Sequence, residues 1–300
     1  MDYVFKGLTE SQVDTNEEPL LAWVGKYEND DYWVVKLNDK KMKDIDEVKK
    51  SKEQLESLLH DSYSSESKDD DSVLDSKPLR EFGDSLEASY DAGLLATANG
   101  LVEFHKSHRF CSLCGSRTKP TKAGASRTCT NEDCRKSVYP RIDSAAIMLV
   151  TSPCENYALL GRKRSWPSGR YSTLAGFCEV GETLEECCQR ETYEESGVVI
   201  DPKSVRFAAS QPWPFPRSLM VGFRAKAIPS PEESALPEIV VDTNEMEDIR
   251  WFAKDFVKES LKLNGSTALT FEPSEEESQF HVPGKASLAR FLIKEWVNEK

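Results

Sequence analysis

The strongest constraint in this chain is a short helix that must carry three carboxylates on one side. Between Gly176 and Val198 the sequence reads GFCEVGETLEECCQRETYEESGV. Glu191, Glu194 and Glu195 recur there at i, i+3 and i+4, which puts them on one helix face about 100° wide. Like charges held that close repel, so such a face is either a solvated surface or one shared with cations, and hard oxygen ligands suit magnesium or manganese. The ends of the helix are also written locally. Thr183 followed by Glu186 makes a capping box that starts it near Leu184, and Gly197 stops it. Leu184, Cys187, Cys188 and Thr192 give it an inward side, while Arg190 is placed to pair with neighbouring carboxylates and orient them.

The complete pattern, Gly176, Glu182, Arg190-Glu191, Glu194-Glu195 and Gly197 in register, resembles the Nudix box. That loop-helix-loop belongs to hydrolases that cleave a nucleoside diphosphate linked to another group. The resemblance implies a mixed α/β fold, the Nudix α/β/α sandwich. Thr192 departs from the pattern, standing where the family usually has an aliphatic residue. It is expected to pack by its methyl group and return its hydroxyl to the helix backbone.

A second constraint is cysteine spacing. Cys111-x2-Cys114 and Cys129-x4-Cys134 lie fourteen residues apart, the spacing of two knuckles that close a tetrahedral four-sulfur zinc site. Disulfides are the alternative, disfavoured in a reducing compartment, and a catalytic zinc is disfavoured because four thiolates leave no open position. The zinc is therefore expected to be structural. Cys154, Cys178, Cys187 and Cys188 have no ligand spacing and read as small buried apolar residues. Nine Lys or Arg fall between Lys106 and Arg141 against Glu132 and Asp133, in a chain of net charge -13. That local excess is either a docking surface for phosphates or a means of keeping the ribbon soluble.

Downstream of the box, Ser210 to Met220 reads SQPWPFPRSLM. Pro212, Pro214 and Pro216 exclude a central strand, and Trp213 and Phe215 offer planar faces for stacking on a base or a nicotinamide ring. A plain turn or a proline-rich ligand for another protein are the other readings. In this position, with the four-cysteine ribbon followed by Tyr139-Pro140-Arg141-Ile142-Asp143, the stretch resembles the fingerprint of the NADH pyrophosphatase branch of the Nudix family. The similarity covers about residues 86 to 300.

Carried onto this sequence, the resemblance implies metal ligands at Glu191 and Glu195 with Glu194 close by, a backbone carbonyl from Ala175, and a further carboxylate at Glu245. It implies a dinucleotide site lined by Tyr139, Phe177, Gln211, Pro212, Trp213, Pro214, Phe215, Pro216, Arg217, Ser218 and Ala289. The expected cofactors are two or three magnesium or manganese ions and one structural zinc. The expected reaction is hydrolysis of NADH or NAD to nicotinamide mononucleotide and AMP, by a homodimer. Removal of an NAD cap from RNA is the first alternative, and a zinc-ribbon binding module with an inactive hydrolase domain the second.

Three domains are expected. Residues 1–104 form an N-terminal α+β domain, degenerate and Nudix-like by the same resemblance, with a β-hairpin over Leu20–Leu37, a helix over residues 46–60 and a mobile acidic segment over residues 60–77. Residues 105–139 form the zinc ribbon and 140–300 the catalytic domain. An amphipathic helix over residues 86–102 leads into the cysteines. The net negative charge argues against indiscriminate binding to nucleic acid or lipid, and no window is apolar enough to span a membrane. Neither end carries a signal or peroxisomal motif, so a cytoplasmic protein is expected, with peroxisomes left open because members of the branch occur there.

Overall fold

In the computed structural model, the described residues are 2–6, 20–27, 30–36, 89–230, 236–263 and 280–299. The expected helix over residues 46–60 and the acidic segment over residues 60–77 lie outside them. Three antiparallel strands come first: β1 (Asp2–Lys6), β2 (Leu20–Tyr27) and β3 (Asp30–Lys36), in the order β1-β3-β2. Tyr27 pairs with Asp30, so the hairpin closes over two residues rather than the expected four. Asp30 and Asp31 extend the ladder and do not belong to the turn.

Helix α1 (Ser89–Ser107) buries Leu94, Ala98, Val102 and Phe104. The ribbon follows as β4 (Thr118–Thr121), β5 (Ser126–Cys129) and β6 (Ser137–Val138). Its junction with α1 is polar and buried. His105 Nε2 bonds the carbonyl of Gly124 at 2.8 Å, and Arg127 NH1 donates to His105 Nδ1 at 2.8 Å. Arg127 also donates to the Thr118 hydroxyl and carbonyl. Burial holds the imidazole down at about 4, so His105 is neutral and accepts from the guanidinium. Arg127 is thus one of the nine basic residues whose charge is used inside the ribbon.

One mixed sheet follows. Its strands are β7 (Asp143–Thr151), β8 (Tyr157–Arg162), β9 (Leu174–Phe177), β10 (Arg206–Trp213), β11 (Ser218–Lys226) and β12 (Asp248–Ala253), in the order β10-β11-β7-β8-β12 with β9 also paired to β7. Only β11 and β7 run parallel. The helices are α2 (Leu184–Ser196), α3 (Lys254–Leu263) and α4 (Leu288–Asn298).

Strand period two divides β7 between two cores. Ala146, Met148 and Val150 pack with Cys187 and Cys188 of α2, whereas Ile147 and Leu149 pack with Leu292, Ile293 and Trp296 of α4. The sheet is therefore covered on both faces, an α/β/α sandwich.

The cysteine expectation needs two corrections. Cys187 and Cys188 are buried, but Cys154 is exposed and Cys178 only half-buried. Cys154 sits in the β7–β8 turn, where Glu155 adopts φ 61° and the chain reverses at the surface. Strand β10 takes in Gln211 and Pro212. It is the edge strand, so the missing proline N–H leaves no ladder bond unmade.

Two compact units can be distinguished. One contains β1–β3, α1, the β4–β6 ribbon and the turn Pro214–Arg217. The other contains Ile142–Trp213 and the chain from Ser218 onward.

Candidate active site and zinc centre

Helix α2 begins at its capping box. Thr183 Oγ1 accepts from Glu186 N–H, and the Glu186 carboxylate accepts from Thr183 N–H. Its last turn closes on Gly197, at φ 69°. Thr192 is buried and its hydroxyl donates to the Cys188 carbonyl at 2.7 Å, which satisfies a polar atom that burial would otherwise strand.

The carboxylates diverge in environment. Glu194 is exposed, Glu191 half-buried, and Glu195 is only 2% exposed. Burial, with the charges of Glu191, Glu245 and Glu194 adding to it, pushes Glu195 up to about 8, and the Lys163 ammonium opposes the shift. Burial likewise raises Glu191, against the pull of Arg190. Glu195 Oε2 has no hydrogen-bond partner. A buried, unpaired carboxylate oxygen beside two other carboxylates is unfavourable for the protein alone. It suits a cation, so the residues present fit a hard divalent ion.

Arg190 organises the cluster. Its guanidinium donates to both oxygens of Glu182 at 2.7 and 2.8 Å, and to Glu191 Oε1, Glu194 Oε2 and the Phe177 carbonyl at 2.9, 2.9 and 2.8 Å. This holds Glu182 down at about 2. Gly176 is required by closeness. A Cβ there would stand 1.8 Å from Glu191 Cδ, so the carboxylate lies directly against β9, next to Ala175.

Glu245 reaches the cluster through backbone bonds. Val240 N–H donates to Ser196 O and Asp242 N–H to Glu195 O, after which Glu245 and Met246 N–H turn back onto Asp242 O. The charge of Glu245 is felt by both Glu191 and Glu195.

The remaining residues of the expected substrate site are distributed as follows. Phe177 ends β9 and is 58% exposed. Trp213 pairs with Ser218 to close the β10–β11 hairpin around Pro214–Arg217, and the Ser218 hydroxyl is buried with no partner. Gln211 spends its side chain on the start of α4, donating to Ala286 O and accepting from Leu288 N–H. Ala289, the next residue of α4, is buried at 4% exposure. In the other unit, Tyr139 is 51% exposed beneath the Lys122 ammonium. Asn99 donates there to Pro214 O, and Arg217 Cγ lies 3.7 Å from where a Gly100 Cβ would stand. Asn99 and Lys163 were missed in the sequence. A single polar contact between distant residues leaves no periodic signal.

In the ribbon, the four sulfurs of Cys111, Cys114, Cys129 and Cys134 all lie within 4.8 Å of one another, with Cys111–Cys134 at 3.7 Å and Cys114–Cys129 at 3.5 Å. A tetrahedron with zinc–sulfur bonds of about 2.3 Å has edges of about 3.8 Å. Hydrogen bonds from Ser116 draw Cys114 down to about 6, while burial pushes Cys129 up to about 12. A dication is what lets all four ionise together.

Comparison with known sequences agrees with this geometry. The NUDIX domain profile matches residues 141–268, and that of the NADH pyrophosphatase zinc ribbon domain matches residues 106–139. The chain is 37% identical over 228 residues to the NAD-capped RNA hydrolase NudC of Mycobacterium bovis, covering 76% of this chain and 67% of that one. The chain belongs to the Nudix family.

Two further relatives of this Nudix protein are longer. It is 38% identical over 213 residues to the human NAD-capped RNA hydrolase NUDT12, and 39% identical over 213 residues to the mouse mitochondrial NAD(P)H pyrophosphatase NUDT13. Those matches cover 69% and 71% of this chain, and 42% and 56% of the relatives. No helix among the described residues is long and apolar enough to cross a membrane.

Proposed function

We propose that this Nudix protein hydrolyses the pyrophosphate of NADH and NAD, releasing AMP with the reduced nicotinamide mononucleotide from NADH and the oxidised one from NAD. The observation that carries the reading is the buried, unpartnered Glu195 Oε2 beside Glu191, packed against a glycine that leaves no room for a side chain. Glu191, Glu195, Glu194, Glu245 and the Ala175 carbonyl hold two or three magnesium or manganese ions in this reading. Bound there, the ions supply charge neutralisation at the pyrophosphate oxygens and acidify a water molecule. Arg190 keeps Glu191 and Glu194 in one orientation, and Glu194 or Glu195 takes the proton from the attacking water at a carboxylate oxygen. Phe177 and Trp213 offer aromatic faces for the bases in this reading, and Gln211 fixes the strand that carries Trp213.

Gly176→Ala tests the packing. A methyl group at that position forces the Glu191 carboxylate out of place, so turnover is expected to fall roughly a hundredfold with the circular dichroism spectrum kept. An alanine variant of undiminished activity would separate Glu191 from the chemistry.

Removal of an NAD cap from RNA is the second reading, supported by the names of two relatives and by the basic ribbon. One experiment addresses both. Purified protein with magnesium or manganese is given NADH, NAD, ADP-ribose, diadenosine diphosphate and NAD-capped RNA at stated salt. Fastest release of AMP and reduced mononucleotide from NADH supports the first reading, fastest decapping the second, and no turnover removes both. The homodimer belongs to the same reading and is checked by sedimentation equilibrium.

A further inference from the structure

A second group of metal-ligating side chains lies beside the glutamates without sharing them. Cys178, Glu182 and Cys187 bring two sulfurs and a carboxylate oxygen within 4.8 Å of one another. Each is held by a separate element. Cys178 follows β9, with its N–H on Ser144 O at 3.0 Å. Cys187 is fully buried on α2, with its sulfur 3.8 Å from Gly176 O. Glu182 precedes the helix cap and accepts from Glu179 N–H at 2.9 Å. Cys178 is only half-buried, which gives access from solvent.

The donor set differs in kind from the neighbouring oxygens. Two sulfurs and one oxygen suit a soft or borderline cation such as cadmium or zinc and disfavour magnesium. Three protein ligands leave a fourth position for water.

We propose that Cys178, Glu182 and Cys187 form a second, thiophilic cation site, and that zinc or cadmium bound there inhibits the enzyme by taking Glu182 away from Arg190. Each thiol releases its proton to solvent as its sulfur bonds the ion. The carboxylate oxygens that the ion recruits are those to which Arg190 now donates, and Arg190 NH2 itself lies 3.7 Å from Cys187 Sγ. A guanidinium that loses Glu182 loses the anchor from which it orients Glu191 and Glu194. The inhibition rests on the hydrolase reading above; the binding does not.

The test titrates the full-length protein with cadmium and follows the ultraviolet sulfur-to-metal charge-transfer band together with bound cadmium per chain. The ribbon contributes equally to wild type and to Cys178→Ser, so the difference between them isolates this site. Wild type is expected to bind one more cadmium per chain than Cys178→Ser, and Cys188→Ser is expected to match wild type. In a second arm, hydrolysis of dinucleotide at saturating magnesium is expected to be inhibited by cadmium in wild type and restored by a dithiol, while Cys178→Ser resists. Equal cadmium uptake by wild type and Cys178→Ser would overturn the site. Uptake without any difference in inhibition would overturn the coupling through Glu182. Loss of two thiols to peroxide with no extra cadmium bound would replace the site by a disulfide. A protein that binds the extra ion but turns over no substrate disproves the hydrolase reading and leaves the site standing.

Discussion

Replacing Glu195 by glutamine is expected to reduce turnover by about a thousandfold or more, with the fold and the zinc content unchanged. Glutamine keeps the volume and one carbonyl oxygen but removes the negative charge that a cation would need at the buried Oε2. The same substitution has an opposite effect on stability. In the metal-free protein Glu195 moves from an ordinary 4.5 to about 8, so between these values the folded state holds a proton that the unfolded chain releases. A group raised in this way stabilises the fold fully below about pH 4.5, and that contribution is lost as pH rises through about 8. Glutamine never ionises and has no such loss. Metal-free Glu195→Gln is therefore expected to melt above metal-free wild type at about pH 8, with the gap closing toward about pH 5. Thermal melts at both pH values check the sign. An active variant, or a gap that widens on acidification, would contradict the role given to this side chain.

The second large effect concerns the ribbon. Cys129→Ala, or a strong chelator, is expected to release zinc and unfold residues 109–138. Structural zinc contributes roughly 10 kcal/mol or more of apparent binding energy in comparable small sites, which matches or exceeds what a whole small domain has in reserve. Strands β4 to β6 are short and bury few large side chains, so nothing else on this scale holds them. Metal analysis should show zinc lost from Cys129→Ala and retained in Cys154→Ala. Trypsin should then cut after Lys122 and Arg135, whose backbone the folded ribbon protects. A variant that kept its zinc and resisted trypsin would show that Cys129 is no ligand.

What could be read in the sequence was what repeats or is local. The limits of α2 followed from Thr183, Glu186 and Gly197 because caps are written within one turn of the helix they end. Helix α1 followed from apolar residues at helical spacing. The β2–β3 turn came out too long because its two aspartates were read by composition, and register belongs to the partner strand. Helix α3 was missed although Val257 and Leu261 stand four apart, since a helix of 10 residues gives a weak periodic signal. The junction of His105 with Arg127, the approach of Lys163 to Glu195, and the packing of Glu191 on Gly176 join residues that no pattern links. They are products of the sheet bringing separate segments together. The carboxylates themselves were legible as a helix face, but their unequal burial was not. That inequality is what distinguishes Glu195 from Glu194.

The hydrogen bonds from Val240 and Asp242 to the last turn of α2 have a consequence for how this protein can change over time. Glu245 is indexed to the helix that carries the other glutamates, and not to the segment that leads from β11. The chain between Ile228, whose N–H bonds Val199 O, and Pro237, whose carbonyl accepts from Trp251, can therefore lengthen or shorten while the position of Glu245 stays fixed, because the chain is clamped afresh before it reaches that residue. Substitutions that distort the backbone at Ser196 or Gly197 should have the reverse effect, displacing Glu195 and Glu245, which stand 50 positions apart, in a single step. Variation is thus free in one neighbouring stretch and closed in the other.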